Sequence, residues 1–206
     1  MPAKPKSRRQ VLTEFRRAEI LDAALKLFGK KGFAQTRMED IAEQAGLAKG
    51  TLYLYFSSKD AMYEAAVQRA IAQQTEQGAE AIEKIQGVAA RLRAFLTFRM
   101  SFWISYPDLY RLLATLGRER RFRKQTHTIV RASVEEMIDI LAAGVRDGEL
   151  ADRDYTSLAW ALMDMVRGMN ERRMYGESTR SSEQDAEAIL AMVLPYIGVN
   201  AKLAKR

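Results

Sequence analysis

One stretch limits what this chain can fold into more than any other: residues 36–59, TRMEDIAEQAGLAKGTLYLYFSSK. Ile41, Ala42 and Ala45 form one short apolar face, and Leu47, Leu52, Tyr55 and Phe56 form a second. The spacing predicts two short helices, over 38–45 and 49–56. Thr36 and Glu39 stand at capping-box spacing and mark where the first begins. Gly46 falls where that helix must stop, and glycine accepts the left-handed backbone of such a turn. Ala42 is small, as a residue must be where two helices cross closely. The pattern is that of a helix-turn-helix, whose second helix fits a DNA major groove.

The second of these helices has the chemistry for that task. Its first turn offers free backbone N–H groups and a positive dipole end, both suited to phosphate. Lys49 and Thr51 project from that turn, and Gly50 removes a side chain where the backbone would approach the groove. Tyr53 and Leu54 lie opposite Leu52 and face outward, where thymine methyls give them an apolar partner. The plainer reading of Tyr53 is a ring that covers the domain surface.

The same stretch resembles the DNA-binding domain of the TetR family of transcriptional regulators. The matching residues are Thr36, Ile41, Ala42, Ala45, Gly46, Leu47, Lys49, Gly50, Thr51, Leu52, Tyr53, Tyr55, Phe56 and Lys59. The run ILDAALKLFGKKGF, residues 20–33, resembles the family's first helix and the turn after it. The resemblance covers residues 14 to about 67; beyond them it is one of length and helical character. It implies DNA contacts from Thr36, Lys49, Gly50, Thr51 and Tyr53, with Lys59 and Tyr55 gripping phosphates; Arg37 and the outward Leu54 complete the expected DNA-binding set. It also implies that the last two helices pair with their counterparts in a second subunit as a four-helix bundle.

Charge points the same way, more weakly. The chain of 206 residues carries 33 Lys/Arg against 26 Asp/Glu, a formal +7. Residues 1–60 hold 12 of the cations against 7 acids, so +5 of that excess lies in the first 60 residues. Such asymmetry favours a polyanionic partner, although basic surfaces also serve solubility. Cysteine is absent and His127 is the one histidine, which excludes disulfides and zinc sites of the usual Cys/His type. No apolar run reaches spanning length, and the basic N-terminus has no apolar segment of a leader behind it. The expectation is a soluble cytoplasmic protein.

The rest of the chain reads as all-α, about nine helices, with no strand pattern. Residues 1–12, with two prolines, four cations and no acid, are expected to be a disordered arm. A first helix is expected over 13–31, a helix-turn-helix domain over 13–58, and a helical ligand-binding and dimerisation domain over 59–206. Ser57 and Ser58 cap a long helix from Lys59 to about residue 84, the natural lever between the two domains. The run GRERRFRK, 117–124, carries five cations and one acid; a solvated loop or helix start is the simpler reading and an anion site the other. The helix over 154–175 is apolar around most of its circumference, as when buried on two sides.

Catalytic signatures are missing: there is no glycine-rich phosphate loop, no nucleophile pairing and no HExxH. The expected function is a DNA-binding regulator, a repressor that binds a palindromic operator as a homodimer and is released by a small hydrophobic ligand. The competing reading is an α-helical small-molecule-binding protein or enzyme whose N-terminal domain makes another contact. No cofactor or metal is expected. Phe98, Phe102, Trp103, Tyr106, Tyr110, Trp160 and Met163 are the candidate walls of the ligand pocket. Arg99, or the basic run at 118–124, would hold an anionic end.

Overall fold

The computed structural model describes residues 7–199. These form α1 (Arg8–Lys31), α2 (Met38–Gln44), α3 (Lys49–Tyr55), α4 (Lys59–Ile82), α5 (Val88–Ser105), α6 (Pro107–Leu116), α7 (Arg123–Arg146), α8 (Thr156–Met174) and α9 (Ser182–Tyr196), with no strand among the described residues. The all-α architecture is the one expected.

Two starts differ from expectation. α1 begins at Arg8 rather than residue 13, so residues 7–12 are no disordered arm; residues 1–6 lie outside the described residues. The Ser7 hydroxyl accepts from the Gln10 N–H at 3.3 Å, and the Gln10 side chain accepts from the Ser7 N–H at 2.8 Å. This reciprocal cap satisfies two donors that otherwise face solvent unpaired, enough to start a helix in a basic segment. α2 is capped at Arg37, whose N–H donates to the Asp40 carboxylate at 2.9 Å, and not by a Thr36–Glu39 box. Thr36 instead turns inward: it is 1% exposed, and its hydroxyl donates to the Gly32 carbonyl at 2.8 Å. The turn between α2 and α3 does rest on Gly46, at φ +66°.

Two apolar cores result, and they do not divide at residue 58. The first joins Ile20, Leu27 and Phe28 of α1, Ile41 and Ala42 of α2 and Leu52 of α3 to Met62, Tyr63 and Val67 of α4. Leu109, Leu112, Leu113 and Leu116 of α6 complete it. The second is built from α5, α7, α8 and α9, around Leu92, Phe95, Leu96, Met137, Leu141, Leu162 and Ile189. α4 contributes to the first core with its N-terminal half and reaches the second through Ile82.

The basic run at 117–124 is not a free loop: it leads into α7, whose first residues are Arg123 and Lys124. Its Phe122 is 2% exposed and inserts into the first core, with ring centroids 4.3 Å from Tyr63 and 5.7 Å from Phe33. Arg121 lies over the rings of Phe122 and Phe33 and pairs with Glu119 at 2.9 Å and Asp60 at 3.3 Å. The aromatic residue within the run, not its charge, fixes its place.

Candidate nucleic-acid interface and effector cavity

α3 is held by the buried side of Leu52, which is 0% exposed, and presents its other side to solvent. Tyr53 is 45% exposed and Leu54 84%, an unusual exposure for a leucine on a short helix. Arg37, Lys49 and Gly50 are exposed as well, and Thr51 is half-buried. Gly50 has no internal reason to be glycine: its φ is not positive, and an added Cβ would meet nothing within 4 Å. Lys49 is paired with Glu39 of α2; the hydrogen bond between them raises the lysine's pKa and lowers the carboxylate's.

One expected phosphate contact, Lys59, is otherwise engaged. The Lys59 ammonium donates to the Phe33 carbonyl at 2.6 Å and the Ala34 carbonyl at 3.3 Å, and lies 4.8 Å from the Phe33 ring centroid. It clasps the loop after α1 to the start of α4. Tyr55 is half-buried against the first core, and its carbonyl accepts a hydrogen bond from Arg17. Thr36, buried as described above, has no side-chain surface to offer.

A cavity of about 220 Å³ lies between α5, α6, α7 and α8. Leu113, Ala114, Ile129, Val130, Met163 and Val166 make its apolar wall. Of the expected pocket residues, Trp103, Tyr110 and Met163 line it; Phe98, Phe102, Tyr106 and Trp160 do not. Phe102 is 3% exposed in an aromatic cluster, 4.7 Å from Tyr106 and 6.1 Å from Phe98 between ring centroids. Phe98 backs onto Gly78 of α4, and Trp160 stacks on His127 at 5.8 Å. These four rings fill interhelical space instead of leaving it open. Ion pairs stand at the exposed rim, Arg118 with Glu171 at 3.6 Å and Arg167 with Asp164 at 2.9 Å.

One wall of the cavity is cationic. Arg99 is 3% exposed, and its nearest acid is Glu136, at 3.8 Å. Burial lowers its pKa to about 10 against the opposing pull of Glu136, which leaves it protonated at neutral pH. Burial raises the pKa of Glu136 in turn, and its other oxygen accepts from Thr75 of α4 at 3.2 Å. Burial also raises the Tyr110 phenol, so it stays a neutral donor, to the Arg167 carbonyl at 3.2 Å.

The family model described as "Bacterial regulatory proteins, tetR family" matches residues 20–66, the span from the first buried residue of α1 to the first half of α4. The chain belongs to the TetR family. Its regulator RutR from Escherichia coli is 31% identical over 137 residues, 66% of this chain and 64% of that one. The transcriptional repressor KstR2 of Mycolicibacterium smegmatis is 26% identical over 204 residues, 94% of this chain and 92% of that one. The fold is that of FadR from Bacillus subtilis, solved in complex with stearoyl-CoA, with a TM-score of 0.75 at 21% identity over 85% of this chain and 96% of that one.

As a TetR-family protein the chain is a DNA-binding transcriptional regulator, and the relatives named are regulators, not enzymes. No helix among the described residues is long and apolar enough to cross a membrane. Reading the regulator's sequence located the exposed face of α3 and three cavity residues. It missed Asn170 and Ser133, which also line the cavity. The signal for both was available: each is a polar residue on an otherwise apolar helical stripe.

Proposed function

We propose that this regulator is a homodimeric repressor that reads a palindromic operator through α3 and leaves it when a small hydrophobic effector enters the cavity. The observation that carries the DNA half is the outward face of α3, where Tyr53 and Leu54 are exposed beside a Gly50 that nothing inside the chain requires. Such a face suits base edges and thymine methyls, with Arg37, Lys49 and Thr51 beside it for phosphates or bases. Thr36, Tyr55 and Lys59 act by positioning: they hold the ends of α1, α3 and α4 together. Residues up to 58 form the reading head in this scheme, and residues from 59 onward the effector and dimerisation part, with α6 docked back onto the head.

Dimerisation through α8 and α9 accounts for apolar side chains that the single chain leaves uncovered. Met165 of α8 is 38% exposed, and Met192 and Tyr196 of α9 are 55% and 64% exposed. A two-fold dimer then places two copies of α3 in successive major grooves, about 34–36 Å apart. A reader of chromosomal operators works in the cytoplasm. The effector reading rests on the apolar cavity, and FadR, whose fold is shared, was solved with stearoyl-CoA.

The test is selection of bound sequences from random duplex DNA, followed by titration of the recovered site with small apolar compounds. A two-fold motif with half-sites one helical turn apart, and compounds that weaken its binding, are the expected results. Recovery of no motif, or a protein that light scattering finds monomeric with and without DNA, refutes the reading.

A further inference from the structure

The cavity holds two buried donors that nothing among the described residues satisfies. Arg99 Nη1 has no hydrogen-bond acceptor, since Glu136 stands 3.8 Å away, beyond hydrogen-bonding distance. Asn170 is 4% exposed, and its amide orientation is fixed by the Arg173 guanidinium, which donates to Oδ1 at 2.8 Å. Its Nδ2 is therefore the end left over, and it too lacks an acceptor. Leaving a buried donor unpaired is costly, and native proteins rarely do so twice in one place. Both side chains line the same apolar cavity. What these two buried donors lack is an acceptor, since the acids that line the cavity, Asp164 and Glu171, are paired at its rim with Arg167 and Arg118.

Glu136 links this site to α4. One carboxylate oxygen faces Arg99, and the other accepts from Thr75. Glu136 also borders a separate hollow of about 300 Å³ between α4 and α7, beside Thr75, Ala79 and Arg91. Two carboxylates cannot comfortably share one buried guanidinium, and the hollow gives Glu136 somewhere to go.

We infer that the effector is an apolar molecule with a single carboxylate, which takes the free donors of Arg99 and Asn170 and displaces Glu136 from Arg99, loosening its tie to Thr75 of α4. The inference deepens the repressor reading and rests on it for the consequence at DNA, though not for the binding site. A carboxylate meets a guanidinium through two parallel hydrogen bonds, which a neutral amide of the same shape does not reproduce. Discrimination against the amide follows from the Arg99 donor that it leaves unpaired.

The experiment titrates hexanoate, benzoate and cyclohexanecarboxylate, each against its primary amide, into the DNA-free full-length protein by calorimetry. At least one acid should bind about tenfold or more tightly than its amide. Arg99→Met should abolish the preference, with an unfolding midpoint equal to or above wild type. Asn170→Asp, which keeps the shape and sets a carboxylate against the ligand, should weaken the acid and spare the amide. Amides that bind as tightly as acids, no acid that binds at all, or acid binding unchanged in both variants overturns the assignment. For the link to α4, Thr75→Val should weaken the ligand-free protein's hold on operator and shrink the further loss that the acid causes; an unchanged loss overturns the link. Acid binding without any operator release sinks the repressor reading and leaves the carboxylate site standing.

Discussion

Gly50→Ala separates folding from DNA contact more cleanly than any other single change in this chain. In an exposed helix interior alanine is worth about 0.8–1 kcal/mol over glycine. Gly50 lies in the first turn of α3, where the gain is smaller, about 0.5 kcal/mol. Nothing offsets it: the backbone there needs no positive φ, and the new methyl meets no atom within 4 Å. For a chain of this size the unfolding midpoint should rise by about 1–2 °C. On operator DNA the same methyl stands where backbone and groove are meant to approach, and overpacking of that kind costs about 1–3 kcal/mol. Calorimetric melting and fluorescence anisotropy with the selected operator read the two effects separately. A higher midpoint with operator affinity down about fivefold to over a hundredfold is the expected pair. Unchanged affinity would refute the placement of α3 against the groove, and a lower midpoint would refute the geometry of α3 itself.

Phe122→Ala removes a ring that is 2% exposed between Tyr63 and Phe33, and should cost about 3–5 kcal/mol in urea unfolding; a loss under about 1 kcal/mol would mean the run at 117–124 is not docked. Glu39→Gln frees Lys49 from its exposed ion pair, so DNA affinity should rise by a few-fold, on the order of an exposed pair's worth, with the melting midpoint nearly unchanged. No change in affinity would show that Lys49 does not reach DNA. Lys59→Met breaks the clasp on the Phe33 and Ala34 carbonyls and should cost about 1–2 kcal/mol of stability while leaving the salt dependence of DNA binding as it was. A slope shallower by about one unit, with stability intact, would make Lys59 a phosphate ligand after all.

The reading head was legible because its signals are local. Gly46 at the turn, Leu52 on the buried side and Leu54 on the other need only helical periodicity to interpret, and the structure agrees with each. Caps are local too, but Thr36 shows their limit. A threonine three residues before a glutamate has the spacing of a cap, yet the carbonyl of Gly32 competes for its hydroxyl, and that competitor is visible only once α1 has been placed. The cavity was half legible for a different reason. Periodicity says which residues point inward, not whether two inward faces meet or leave a gap. Phe98, Phe102, Tyr106 and Trp160 point inward and fill space, whereas Trp103, Tyr110 and Met163 point inward and border a void. Arg99 was the more dependable sign, because a cation on the apolar stripe of Leu92, Phe95, Leu96 and Phe102 has to be there for something other than packing.

The long helix α4 is not the only bridge between the cavity and the reading head, and this constrains how a signal can travel. A lone helix would let the two parts rotate with little resistance. Phe122 forbids that, since it is anchored in the first core between Tyr63 and Phe33 and belongs to the segment that opens α7. The hydroxyl of Tyr63 shares a hydrogen bond with Thr126, which lines the cavity along with Gly117. Phe33, at the other side of Phe122, supplies the carbonyl that Lys59 holds. Cavity wall, α4 and the loop before α2 are thus joined through five side chains in contact: Thr126, Tyr63, Phe122, Phe33 and Lys59. Any displacement of α4 must either carry this cluster along, and move the loop before α2 with it, or break Phe122 out of a buried site at a cost of several kcal/mol. The first is far cheaper, so a shift of α4 would be expressed at the reading head as a rigid movement of α1 and α2 and not as local unfolding.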